Sequence, residues 1–228
     1  MRIPFIPDVI GKVGGGLILT QRKTRFSVSL DTPSAFVAPN ALDNSGYCTP
    51  LESQGNNPWC DSYATCQMLQ ASYWRDFGVQ MQFDEAKHYR ECKIIDGDTN
   101  EGTSLETGLK VAETIALNDK GIIPVIQAKE IEDDKDIPYA IHKYGMVLTG
   151  LRITDGWQYT RWNGMIGDGK KDLGGHAVLS SAYSFSDDFV KGPNWWGVKW
   201  GRKGFWKMTR KQFHDQFIYG YAVQIIWP

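Results

Sequence analysis

Gln54 and Cys60 lie six residues apart in the stretch SQGNNPWCDSYATC, and Cys60 heads a run that reads as a helix. A cysteine in that place is either a core residue or an activated nucleophile, and its neighbours Pro58, Trp59 and Asp61 do not settle which. A nucleophilic thiol needs a base, a group that holds the base in one tautomer, and donors for the oxyanion. The histidines available as base are His88, His142, His176 and His214. His88, His142 and His214 sit among charged residues on expected helices, which predicts a solvated surface role for each. His176 differs, because it follows Gly174-Gly175 and opens the apolar run AVLSSAY. A histidine there is held in place by its surroundings, either as a core residue or as a base.

The elements that must position these residues are legible in part. Ala64, Met68, Leu69, Ala71 and Trp74 recur at helical spacing, so a helix is expected from Cys60 to Phe77, stopped by Gly78. Further helices are expected at Asp84–Cys92, at Thr103–Asn118 and at Asp133–Tyr144. At the second of these, Thr103 to Glu106 satisfies a capping box and Ser104 to Thr107 does not. After residue 145 the texture changes. MVLTGLRIT, HAVLSSAYS, WWGVKW, GFWKMT and YAVQIIWP read as strands between Gly or Asp turns, with a short helix at 210–217. Helices first and strands later predicts an α+β protein. Residues 1–45 read as an irregular leader rich in breakers, with room for one or two strands between Gly16 and Leu30.

Composition narrows the class. The chain has 228 residues, 42% apolar and 22% charged, which suits a globular protein with a substantial core. A net charge of −1 offers nothing global for nucleic acid or an anionic membrane, so neither partner is expected. No apolar stretch is long enough to span a bilayer. The start of the chain does not read as a secretion signal, which favours a cytoplasmic or virion-associated setting. The four cysteines, at 48, 60, 66 and 92, show no CxxC spacing and no Cys/His metal pattern. Reduced thiols and no metal or cofactor are therefore expected, although a Cys66–Cys92 bridge stays open. The basic residues Lys199, Arg202, Lys203, Lys207, Arg210 and Lys211 interleave with Trp200, Phe205 and Trp206 and read as a hairpin with a solvated side. The run KEIEDDKD at 129–136 reads as a solvated loop, and Cys48, Cys66 and Cys92 as packing residues.

Three segments in order carry a resemblance. Gln54-Gly55 precedes Cys60, Gly174-Gly175-His176-Ala177 opens a strand, and Asn194-Trp195-Trp196-Gly197 leads to Trp200-Gly201 and Gly204-Phe205. This pattern resembles the papain-like cysteine peptidases of bacterial or phage type. Thr49-Pro50 and the stretch Glu101-Gly102-Thr103-Ser104-Leu105 resemble, respectively, the approach to the catalytic loop and a wall of the substrate cleft. The resemblance implies a helical subdomain at 46–135 carrying the nucleophile. It implies a β-barrel-like subdomain at 136–228 carrying the base, with a cleft between the two. It implies Cys60 as nucleophile, paired as thiolate with a His176 imidazolium. Asn194 would hold the imidazole, Trp196 would cover that contact, and Gln54 would donate to the oxyanion. Gly102, Thr103 and Trp196 would meet a polypeptide substrate.

The chain departs from the family pattern in places that bear on this reading. Asn57 stands where a disulfide-forming cysteine is common, in keeping with a reducing setting. Asp61 follows the nucleophile, and a carboxylate there opposes thiolate formation unless it faces solvent or meets a cation. Trp59, where a small residue is usual, is expected to narrow the cleft near the leaving group. Residues 1–45 lack the helical pattern of a long prosegment and read as a docking strand, with an assembly partner, or as a short occluding arm. The same fold could also serve as a non-catalytic virion or assembly module, or perform acyl transfer on a non-peptide substrate.

Overall fold

The computed structural model describes residues 2–4, 17–18, 28–49 and 51–226. Most of the stretch from Gly16 to Leu30, and Pro50, lie outside the described residues. The fold is α+β. Helices α1 (Cys60–Phe77), α2 (Glu85–Asp96) and α3 (Leu105–Ala112) form one layer. Strands β3 (Val125–Ile131), β4 (Val147–Thr154), β6 (Asp172–Ser180) and β10 (Phe217–Ile226) form an antiparallel sheet in the order β3-β10-β4-β6. A second antiparallel sheet has the order β2-β7-β8-β9, from Ala41–Asp43, Ala182–Ser184, Phe189–Pro193 and Phe205–Met208. The β-rich half is thus two four-stranded sheets, and no closed barrel occurs among the described residues. The short strands β1 (Arg2–Pro4) and β5 (Tyr159–Arg161) pair with each other.

The first sheet is buried on both faces, so its alternation sorts side chains between two cores. Leu148, Ala177, Leu179, Tyr219 and Tyr221 face the helical layer with Met68, Leu69 and Leu105. Val147, Leu151, Val178 and Ala222 face the other way, toward α4 (Ile137–Tyr144), Trp157, Trp200, Trp206 and Phe213. β6 lies at the sheet edge. Its outward backbone groups are therefore free of the ladder at the place where α1 begins.

Several sequence expectations change. α1 has the expected bounds, because Gly78 takes a left-handed φ of 67° and closes the last turn. α2 runs on to Asp96, and Gly97 caps it in the same way. α3 is shorter than expected and its N-cap is Ser104, whose hydroxyl accepts from Thr107 N–H at 3.1 Å, so the Thr103–Glu106 box does not form. WWGVKW is not a strand. Gly197 and Gly201 take φ of 83° and 58°, and the chain turns there. The expected solvated loop at 129–136 begins inside β3, where Glu130 and Ile131 are buried.

Candidate active site

Cys60 is the first residue of α1, and no side chain caps that helix end. The unpaired N–H groups and partial positive charge of the helix start are thus left facing the thiol's surroundings. On the edge strand β6, Ala177 turns its outward backbone groups to the site. Its N–H donates to Cys60 Sγ at 3.5 Å and its carbonyl accepts from Trp195 Nε1 at 3.1 Å. The neighbouring residue His176 donates from Nε2 to Asn194 Oδ1 at 2.8 Å. That bond fixes the tautomer and leaves Nδ1 with the lone pair. Asn194 is fully buried and is itself held by a bond from its N–H to the Gly204 carbonyl.

Aromatic rings enclose the imidazole. Trp196 lies tilted against it at 5.1 Å between centroids, and Trp157 meets it edge-on at 5.6 Å. Trp157 stacks in turn on Trp200. Trp157 carries no motif in the sequence; only its position after β4, in the helical turn at 155–158, brings it here. Cys60 and His176 are 1% and 2% exposed. Burial pushes the Cys60 thiol up to about 12, with the Asp61 carboxyl adding to the rise, and the Ala177 N–H offsets part of it. Burial also pulls His176 down to about 4 against the opposing bond to Asn194. Burial thus disfavours the charged form of each group taken by itself.

Gln54 is brought to the same loop. Its backbone N–H donates to the Trp195 carbonyl at 2.9 Å, and Ser53 pairs with Trp196. Its side-chain Nε2 donates to the Asn57 carbonyl at 2.7 Å, which uses one of the two amide hydrogens. Gly102 and Thr103, expected from the sequence as a cleft wall, are tied to their own chain. Gly102 N–H donates to Tyr89 Oη at 3.1 Å, and Trp59 packs on the Tyr89 ring. Lys93 Nζ donates to the Gly102 carbonyl at 3.1 Å and binds Asp96 and Asp98, so its ammonium is the cation of this acidic loop. The Thr103 carbonyl accepts from Ile18 N–H at 2.9 Å. Leu17 is 4% exposed, and its side chain occupies the space over Gly150 beside Tyr219.

The structure answers the question left open at Asp61 and corrects the expectation for His88. Among the described residues Asp61 neither faces solvent nor meets a cation. It is fully buried, bonded weakly by Thr65 Oγ1 at 3.5 Å, and burial holds its carboxyl well above the usual range. His88 is fully buried rather than solvated, with Nδ1 2.8 Å from Ser62 Oγ and Nε2 2.9 Å from the Gly108 carbonyl. Its charged sequence neighbours hid an inner helix face shared with Cys92, one turn on. His142 and His214 are exposed as expected. All four cysteines are free, including Cys66 and Cys92. Trp200 and Trp206 are fully buried and present no stacking face.

This architecture is that of the papain-like cysteine proteases. Among solved structures the chain is similar to xylellain, a cysteine protease from Xylella fastidiosa, with a TM-score of 0.80 at 17% identity over 95% of this chain and 97% of that one. It is also similar to procathepsin B S9 from Trypanosoma congolense, with a TM-score of 0.76 at 16% identity over 95% and 88%. A third likeness is to digestive procathepsin L 3 of the Tenebrio molitor larval midgut, with a TM-score of 0.72 at 14% identity over 90% and 75%. At these identities the likeness is one of fold. No family model and no curated protein matches the sequence. Among the described residues no helix is long and apolar enough to cross a membrane.

Proposed function

We propose that the chain is a cysteine endopeptidase acting on polypeptides. The observation that carries this reading is the His176–Asn194 bond of 2.8 Å on the strand whose next N–H touches Cys60 Sγ. In this reading Cys60 Sγ attacks the scissile carbonyl while its proton passes to His176 Nδ1. Asn194 holds the imidazolium that forms, and Trp196 and Trp157 keep water from the contact. The second amide hydrogen of Gln54 and the Cys60 N–H stabilise the oxyanion. His176 then gives its proton to the leaving amine. Water, with His176 as base, hydrolyses the thioester and frees the thiol. No cofactor takes part in this scheme. The free thiols support a reducing setting, cytoplasmic or virion-associated.

Labelling with an epoxide thiol inactivator tests the reading. Fast alkylation of Cys60 that is lost in His176→Ala is the expected result. Alkylation no faster than that of an ordinary exposed thiol would favour a non-catalytic module instead.

The contact of Leu17 and Ile18 with the cleft wall supports a further role for residues 1–45, as a short occluding arm over the resting site. Leu17→Asp is then expected to raise the Cys60 labelling rate several-fold. An unchanged rate would leave the docking-strand alternative.

A further inference from the structure

Behind the nucleophile lies a polar cluster that the peptidase scheme does not use. Asp61, His88 and Cys92 are all buried, and each offers one ligand atom within 4.8 Å of the others. His88 and Cys92 are one turn apart on α2, and Asp61 comes from the start of α1. We propose that this cluster is a zinc site that pins the start of α1 to α2.

The imidazole is already set as a metal ligand requires. Its Nε2–H donates to the Gly108 carbonyl, as metal-bound histidines donate to a backbone oxygen. Nδ1 is left as the free base, 3.7 Å from Cys92 Sγ and 2.8 Å from Ser62 Oγ. A second observation points to a ligand independently. Asp61 Oδ2 is fully buried and has no hydrogen-bond partner. Among the described residues no cation meets this carboxyl, and Gly108 leaves it room, since a Cβ there would run into it. Zinc bound by Asp61, His88 and Cys92, with the Asp61 and Cys92 protons released, gives a neutral unit, which a buried site needs. The hydroxyl of Ser62 takes the fourth position, giving up its bond to Nδ1. Bonds of about 2.0–2.3 Å space tetrahedral ligands by about 3.5 Å, so Asp61, His88 and Cys92 close by roughly 1 Å around the ion while Ser62 Oγ draws back from Nδ1. The mixed N, O and S set suits zinc over calcium or magnesium. The spacing rules for cysteines miss it because only one thiol takes part and the carboxylate comes from another helix.

The test uses the full chain carrying Cys60→Ser, so that the thiol and imidazole of the active site do not compete for metal. It is refolded with zinc, or with cobalt as a spectroscopic probe, and dialysed. The expected result is one equivalent of metal per chain by native mass spectrometry. A thiolate-to-cobalt absorption band should accompany it, with a raised thermal midpoint that chelator reverses. Adding Cys92→Ala should abolish the band. Asp61→Asn, which keeps shape, should weaken metal retention at least tenfold without unfolding the chain. Absence of retained metal in the Cys60→Ser protein would overturn the site, as would a cobalt band that survives Cys92→Ala.

Discussion

Two buried histidines flank the start of one helix, each beside a cysteine, and burial pulls both down to about 4. They differ in what holds the ring and where it stands. His176 is oriented by the Asn194 side chain, from a different strand connection, and its neighbour touches the thiol from the edge of a sheet. His88 is oriented by the Gly108 carbonyl within the helical layer, where Cys92, Ser62 and Asp61 surround it. A side-chain partner between two layers suits a ring that must change charge during a reaction. A backbone partner inside one layer suits a ring that keeps one tautomer. Burial and a shifted histidine alone therefore do not mark a candidate base; the origin of its partner does.

The sharpest way to separate the two sites is to remove each thiol. Cys60→Ala is expected to lower peptidase kcat/KM by about 10⁴-fold or more. Cys92→Ala is expected to leave labelling of Cys60 within a few-fold of the parent, and a comparable loss in both variants would erase the distinction. Gln54→Ala should cost about 3 kcal/mol of transition-state stabilisation, roughly a hundredfold in kcat, with KM little changed. A loss in KM alone would remove Gln54 from the oxyanion.

The two rings should then behave alike toward acid. An unfolded chain protonates its histidines below about 6.5, whereas the folded chain resists until about 4. Stability is therefore full above pH 6.5 and falls as pH drops toward 4. Urea midpoints measured between pH 7 and 4.5 should show this slope, and His176→Gln should remove about half of it, His88 keeping the rest; an unchanged slope would mean that the His176 ring is protonated in the fold. Gly108→Ala should destabilise the helical layer by about 1–3 kcal/mol, read by thermal melting, because its methyl meets the Asp61 carboxyl. His214→Gln is the control with the smallest effect. That ring is exposed and bonds only Asp134 among the described residues, so the melting midpoint should hardly move.

The candidate site is more legible in the sequence than the fold around it. Gln54, Cys60, His176 and Asn194 stand in short runs whose glycines and tryptophans have fixed tasks, and the structure brings these runs to one place. β3 escapes the sequence because the charged Lys129 and Glu130 interrupt its apolar pattern, although Glu130 is buried where the strand pairs with β10. WWGVKW resembles a strand because Trp195 and Trp200 are buried by packing, while Gly197 within the run and Gly201 after it turn the chain. The sequence extends α3 beyond Ala112 because Ile115 and Leu117 continue its apolar spacing, but the chain turns after Glu113 and Asn118 pairs with Phe83. Trp157 could not be found at all, since only the return of β4 to the site places it on His176.

The tie between Ile18 and Thr103 belongs to one chain, and this has a kinetic consequence. In the proposed occluding role, a segment tethered beside the cleft competes with substrate at an effective concentration set by its own length, on the order of millimolar. Dilution leaves that competition unchanged. Weakly bound peptides would be excluded at any protein concentration, while a cut in the tether or a second surface that captures the segment would convert the restraint to an ordinary bimolecular one and release the site.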